Sequence, residues 1–366
     1  MGYVRLAFED CQHLLRRVFT AYGFSSQESA VIVDGILTAD LYGIESHGLQ
    51  RMVRYDAAIK CGMVNITAKP EVVFETPVSA VLDARDAMGQ LVSVQAMHMA
   101  MEKAKKGGVG MVTVRASNHF GIAGYYTGMA AAEDLIGVCM TNSEAIMVPT
   151  NGRKAMLGTN PISVAMPADP HPFIFDAATT VVPRGKLEVC SKKGQPLPAG
   201  WAVDTGGNVC VSPDEVLHNI VAKAGGGILP LGGESETTGG HKGYGFGLIC
   251  ELFTSVLAGG AFSHESYIQP EKADTAHCFW AIDYGIFGDK GEIRRRFSAL
   301  LDELRHSPKK EGAQRIYVHG DKELEACRRN RREGLPVNEK TLAELREIVA
   351  RLALSPEDFS FLTVEQ

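Results

Sequence analysis

His47, Arg51 and Tyr55 fall four residues apart in the segment Gly43-Ile44-Glu45-Ser46-His47-Gly48-Leu49-Gln50-Arg51-Met52-Val53-Arg54-Tyr55. On a helix that spacing lays the three side chains along one face. Imidazole titrates near neutrality and suits proton exchange with a hydroxyl. Guanidinium presents a planar fork that matches a carboxylate, and a phenol can fix orientation. Ser46 would open the helix, where an anion is favoured, and join Arg51 and Tyr55 around a small substrate. The chemistry these parts would serve is hydride transfer to or from a 2-hydroxy acid. A plain surface helix with a serine cap fits the same residues, so the segment alone decides nothing.

Further candidates stand at the ends of short apolar runs. Val112-Thr113-Val114-Arg115 reads as a strand, and His119 follows just past its carboxyl end, where open α/β sheets bind ligands. Ser143 follows the run 136–141, Asn160 precedes the run 162–165, and Asp176 closes the run 173–175. Ordinary turns favour the same residue types. Thr238-Gly239-Gly240-His241-Lys242-Gly243-Tyr244-Gly245 leads into an apolar helix. Its glycines would let backbone N–H groups approach a pyrophosphate, with Lys242 adding a charge. Neither G-x-G-x-x-G nor G-x-x-x-x-G-K-[ST] is complete anywhere, so no motif identifies a nucleotide.

The elements that must position these groups alternate in type. Leu14, Leu15, Val18, Phe19 and Tyr22 recur at helical spacing, and Gly23 stops that helix. Ser25 with Glu28 forms a capping box for a second helix ending near Gly43, and a third is expected from near Ser46 to Gly62. Strands are expected at 80–82, 110–114, 136–141, 162–165 and 173–175, with helices at 91–105 and 124–133. Trp201–Asp204 and Asn208–Val211 read as a hairpin, 245–257 as a helix, and the glycine-rich stretch 225–240 as a mobile lid. Thr341 with Glu344 would cap a last helix bearing Leu342, Leu345, Ile348 and Val349. The expected fold class is α/β. Helical parts at 1–75 and 286–366 would pack together beside a sheet domain at 76–285.

Composition narrows the class. The 366 residues are 45% hydrophobic and 22% charged, ordinary usage for a globular protein of two or three domains. A net charge of −6 removes the basic excess expected of a nucleic-acid binder. Arg5, Glu9, Asp10, Arg16 and Arg17 interrupt the first helix, unlike a signal peptide, and no apolar run suits a membrane span. The eight cysteines form no C-x-x-C pair, which suits reduced thiols in the cytoplasm rather than a disulfide framework or metal site.

Taken in order, five segments resemble the type-2 malate/L-lactate dehydrogenase family. They are Ser46-His47-Gly48 with Arg51 and Tyr55, Asn118-His119-Phe120-Gly121 with Gly124-Tyr125, Gly158-Thr159-Asn160-Pro161, Asp176-Ala177-Ala178-Thr179-Thr180 and Lys242-Gly243-Tyr244-Gly245. The likeness covers nearly the whole chain. It implies a nicotinamide enzyme using NAD, or NADP, in a non-Rossmann fold: three α/β/α layers around a mixed sheet, usually a homodimer. It favours malate/oxaloacetate, with ureidoglycolate, L-lactate or diketogulonate as alternatives. By matching position His47 and His119 are the two acid/base candidates, His47 placed first, and Asn160 joins the substrate side. Ser143, Asp176, Ala177, Ala178 and Lys242 match cofactor contacts. His319-Gly320-Asp321 stands where the family carries Pro-Gly-Glu, which makes Gly320 and Asp321 a third contact. Arg54, Arg115 and Arg184 are available for a second carboxylate.

Overall fold

The N-terminal helices form where the periodicity places them. In the computed structural model, which describes residues 2–355 and 361–362, β1 (Tyr3–Leu6) leads into α1 (Phe8–Tyr22) and α2 (Ser26–Leu41). Leu14, Leu15, Val18 and Phe19 face inward from α1, and left-handed Gly23 ends it. Ser25 and Glu28 exchange both bonds of their capping box. The third helix is shorter than its spacing suggests: α3 covers only Met52–Lys60.

The apolar runs then build a seven-stranded sheet. Its members are β2 (Glu71–Glu75), β3 (Ser79–Asp83), β4 (Val109–Ser117), β5 (Ile136–Thr141), β6 (Ile162–Met166), β7 (Phe173–Ala177) and β10 (Thr275–Ile282), in the order β2-β3-β4-β10-β5-β6-β7. Only β3 and β4 pair in parallel, joined through α4 (Gly89–Gly107); the other pairs are antiparallel. Helix α5 (Ala123–Ala132) packs beside α4, and apolar residues of both meet Val112, Val114 and Phe279 in one core. β2 joins the sheet as its edge, although it falls within the stretch 1–75 read as helical.

A small lobe follows β7. It holds α6 (Arg184–Lys193), β8 (Ala202–Val203), α7 (Pro213–Ala222) and β9 (Gly227–Ile228), packed around Leu187, Val216, Ile220 and Ile228. The expected hairpin is present in short form, with Asp204 N donating to Asn208 O at 2.9 Å and Cys210 N to Ala202 O at 3.0 Å around an antiparallel Val203–Val209 bridge, while the ladder partner of β8 is β9. That pairing orders the first part of the glycine-rich stretch, where Gly226 also donates to Arg153 O, so Gly227–Ile228 is a strand while residues 231–239 form turns. Next comes α8 (Gly240–Glu251), whose coil widens to a single π turn at Leu252–Val256.

The chain closes with α9 (Lys290–His306), α10 (Asp321–Glu333), β11 (Leu335–Asn338) and α11 (Glu339–Arg351). Asn338, not Thr341, caps α11: its side chain accepts from Thr341 N at 2.9 Å, and Thr341 is buried in the first turn. β11 pairs with β1, and Leu335, Val337, Leu342, Leu345 and Ile348 share one core with α1 and α2. β1, α1 and α2 thus share one body with β11 and α11 beside the sheet, in the three-layer mixed α/β arrangement, while α9 packs instead through Phe297 and Leu301 on Ala168, Phe173 and Val318. Among the described residues no helix is long and apolar enough to cross a membrane.

Candidate active site

Gly48 interrupts what its spacing presents as one helix. Glu45–His47 and Leu49–Arg51 are separate 3-10 turns, and α3 begins only at Met52. The cause is nonlocal. Asp40, buried at the end of α2, accepts from Leu49 N at 2.7 Å, and a Cβ on Gly48 would lie 2.1 Å from its carboxyl carbon. Burial pushes Asp40 up to about 8 despite that hydrogen bond. Asn330 of α10 secures the same corner by donating to Asp40 O at 2.9 Å and Leu41 O at 3.2 Å. Gly48→Ala should therefore displace the turn and lower kcat on the order of 100-fold, the cost of an ångström-scale misplacement. Steady-state kinetics beside a thermal melt checks this, since a loss of folding would show in the melt.

The turn brings His47 against His119, with ring centroids 5.6 Å apart and planes 20° from parallel. His119 Nδ1 lies 2.8 Å from Tyr55 Oη, and Gln90 Nε2 donates to that same oxygen at 2.8 Å. Ser46 Oγ lies 2.9 Å from His47 Nδ1, and Arg51 Nε donates to Ser46 O. Both imidazoles are held neutral. Burial pushes His47 down to about 3, helped by the charges of Arg51 and Arg54. His119 is lowered well below its ordinary value by burial, then by Arg54, His47 and Arg51. Burial thus does the work that a helix dipole would do if His47 began a helix.

The cations are placed unequally. Arg54 donates to Tyr267 Oη at 2.9 Å, with its guanidinium 5.3 Å from that ring's centroid. Arg184 borders the turn, held by Glu188 at 3.2 Å and Glu144 at 3.8 Å. Arg115 is elsewhere, paired with Asp83 at 3.0 Å and donating to Ala258 O.

Pairing directions put the strand-end candidates at one end of the sheet. β4, β5 and β7 run the same way, opposite to β10 and β6, so His119, Ser143 and Ala178 follow three carboxyl ends while Asn160 precedes β6. Asn118 anchors the His119 loop by donating to Met63 O, Asp86 O and Ala87 O. His277 of β10 supports it from below: Nε2 lies 3.2 Å from Asn118 O, and the ring stacks on Phe120 at 4.5 Å. Ser143 Oγ accepts from Thr159 N at 3.0 Å.

Asn160 does not face the histidines. It is fully buried, with Nδ2 donating to Glu251 and Gly247 O while Oδ1 accepts from Ser143 N and Ser263 Oγ. Asp176 accepts from Gly124 N at 2.7 Å, capping α5; burial pushes it up to about 6 against that bond. Ala177 and Ala178 are half-buried beside it. Lys242 is exposed on the first turn of α8, which packs closely through Gly243 against Leu231 and through Gly247 against Thr179.

Gly320 and Asp321 lie along the open edge of β7, near its start, where Ile174 N donates to His319 O. Asp321 is buried among Arg305 at 2.9 Å, His171 at 2.9 Å and Arg315 at 3.3 Å. Burial alone would raise it, but Arg305 and the Val318 amide overcome this and hold it at about 2. Its carboxylate is committed to the fold. Gln90, Asp40, Asn118, His277 and Glu251 carry the site's support without any spacing signal, apart from the position of Asn118 beside His119. Among the described residues, no group of three or more His, Cys, Asp or Glu could hold a metal ion.

With that geometry in view, known proteins give a consistent match. The sequence model of the malate/L-lactate dehydrogenase family matches residues 6–346. A malate dehydrogenase of Pyrococcus abyssi is 40% identical over 96% of this chain and 96% of its own. An L-sulfolactate dehydrogenase of Methanocaldococcus jannaschii is 35% identical over 96% and 98%. The solved malate dehydrogenase of Entamoeba histolytica superposes with a TM-score of 0.93 at 35% identity, covering 97% of this chain and 99% of that one. The chain belongs to the malate/L-lactate dehydrogenase family. It is a 2-hydroxy acid dehydrogenase, a class that works with a nicotinamide coenzyme.

Proposed function

We propose that the enzyme interconverts malate and oxaloacetate with NAD or NADP, and that His119 exchanges the substrate proton. The observation that carries this reading is a stacked pair of neutral imidazoles beside Arg51 and Arg54. When bound, the nicotinamide supplies or accepts the hydride. The chain does the rest. Arg51 holds the carboxylate next to the reacting carbon, and Arg54 meets the second one. In oxidation neutral His119 takes the hydroxyl proton at Nε2, the nitrogen left over when Nδ1 is engaged by Tyr55. In reduction the proton returns from the same atom. His47, steadied by Ser46, walls the other side of the ring and excludes water.

His119 takes precedence over His47 because its orienting partners are buried and chained, as acid/base catalysis requires. The residues present fit a dinucleotide. Exposed Lys242, half-buried Ser143, and Ala177 with Ala178 lie at the histidine end of the sheet, and the Gly320 backbone lies farther along the β7 edge. Asp176 would act there through the α5 cap, and Asp321 by holding its loop. Asn160 would serve the substrate by fixing the Ser143 loop. NAD is the first choice. Fluorescence titration with NADH and NADPH, followed by a panel of 2-oxo acids read at 340 nm, tests coenzyme and substrate together. Binding of neither coenzyme would remove the reading.

The working form is a homodimer. Leu248, Leu252 and Val256 stand exposed along α8 and its π turn, a stripe that a second copy would bury. Light scattering should give twice the chain mass, and Leu252→Glu should give the monomer. The free cysteines fit a reducing compartment such as the cytoplasm.

A further inference from the structure

Behind His119 runs a chain of buried polar groups that ends on a loose atom. Gln90 sits in the first turn of α4, fully buried, with its stem against Gly35 of α2. Its Nε2 donates to Tyr55 Oη, whose ring is also buried, and Tyr55 Oη meets His119 Nδ1. The other end of the amide, Oε1, is buried without a hydrogen-bond partner among the described residues. Such an atom gives up its hydration for nothing in return, so its retention calls for a reason.

An amide is a donor at one atom and an acceptor at the other, and a phenol can both give and receive. With Gln90 nitrogen toward Tyr55, the phenol oxygen accepts from Gln90 N–H and its O–H donates to bare His119 Nδ1. Nε2–H then faces the substrate as a donor, the partner a carbonyl oxygen needs. With Gln90 oxygen toward Tyr55, the phenol gives to Gln90 and receives from His119 Nδ1–H. Nε2 is then bare, the partner a hydroxyl proton needs. Either way one amide atom is left over, which is the state observed.

We propose that Gln90 is a positioning residue that lets His119 present a donor to the 2-oxo acid and an acceptor to the 2-hydroxy acid, by turning either amide atom toward Tyr55. The inference rests on His119 exchanging the proton. The amide only rotates and keeps both its hydrogens; the ring hydrogen leaves Nε2 for the substrate oxygen or solvent, Tyr55 passes its proton to Nδ1, and a solvent proton restores the phenol, so His119, Tyr55 and Gln90 carry the same number of hydrogens in both states. The other titratable and charged groups facing His119 are His47, Arg51 and Arg54 from the turn and α3, and His277 from β10. None of them hydrogen-bonds its Nδ1 among the described residues.

Two dead-end complexes separate the states without turnover: enzyme with NADH and malate, and enzyme with NAD⁺ and oxaloacetate. Nitrogen-15 NMR of labelled histidine, assigned with His119→Gln, should report Nδ1–H in the first and Nε2–H in the second. Gln90→Met should freeze one tautomer in both complexes and lower kcat about tenfold, the worth of one buried hydrogen bond. Coenzyme affinity should stay unchanged. A single tautomer in both wild-type complexes overturns the proposal, as does Gln90→Met with full kcat. If Gln90→Met fails to fold, the wild-type pair decides alone. Failure to bind either coenzyme would instead remove the malate reading itself, so the two failures are distinguishable.

Discussion

His119→Ala is expected to lower kcat by roughly 10²- to 10⁴-fold in both directions, the usual worth of a positioned acid/base group. Coenzyme Kd should hardly change, because the ring's contacts are with Tyr55 and His47 and not with the proposed coenzyme residues Lys242 and Gly320. His47→Ala should cost less, since Ser46 is the only hydrogen-bonding partner of its ring among the described residues. A larger loss in His47→Ala than in His119→Ala would reverse the two roles.

The pH profile gives an independent check with a definite sign. Oxidation needs neutral imidazole, and burial followed by Arg54, His47 and Arg51 lowers the folded-state value of His119 below its ordinary 6.5. Below 6.5 an ordinary histidine would already be charged, whereas this one stays neutral. kcat/KM for oxidation reports the free enzyme and should remain level as pH falls through 6.5. A bend centred at 6.5 would contradict this placement.

The proposed precedence of His119 over His47 rests on contacts that the amino-acid sequence does not announce. Residue type and strand-end position suffice to pick out His119, and the four-residue spacing picks out His47, Arg51 and Tyr55. Spacing cannot show that the two histidines stack, since that contact joins segments 72 positions apart in the chain. The same holds for the broken helix at Gly48. Its residues have helical periodicity, but a carboxylate from α2 occupies the space a straight helix would use. Asn160 has the right type at the right junction and still turns inward, because buried Glu251 needs its amide.

β10 carries the clearest fold-level lesson. Thr275–Ile282 is buried on both faces, so it lacks the alternation that marks a half-exposed strand. It also enters the sheet between β4 and β5, two strands already close in the chain, and nothing local announces that insertion. Yet His277 on this strand sits under the His119 loop. Elements with one wet face, such as α1 and α11, were readable, and so was the apolar run of β5; β10, buried on both faces and distant in the chain from its neighbours, was not.

Arg54→Met is expected to separate a dicarboxylate from a monocarboxylate substrate. Its guanidinium is placed by Tyr267, and the two histidines that burial keeps neutral lie within its field, which adds to that effect. A second carboxylate meeting that cation gains a charge-assisted bond, and truncating one side of such a buried pair costs about 2–5 kcal/mol. kcat/KM for oxaloacetate should therefore fall roughly 30- to 5000-fold, while that for pyruvate changes little. Removing the charge also relieves part of what depresses His119, so the surviving activity should show its acid limb at higher pH than the parent enzyme. Equal losses on both substrates would assign Arg54 to the carboxylate beside the reacting carbon and leave Arg184, behind Glu188, as the cation for the second.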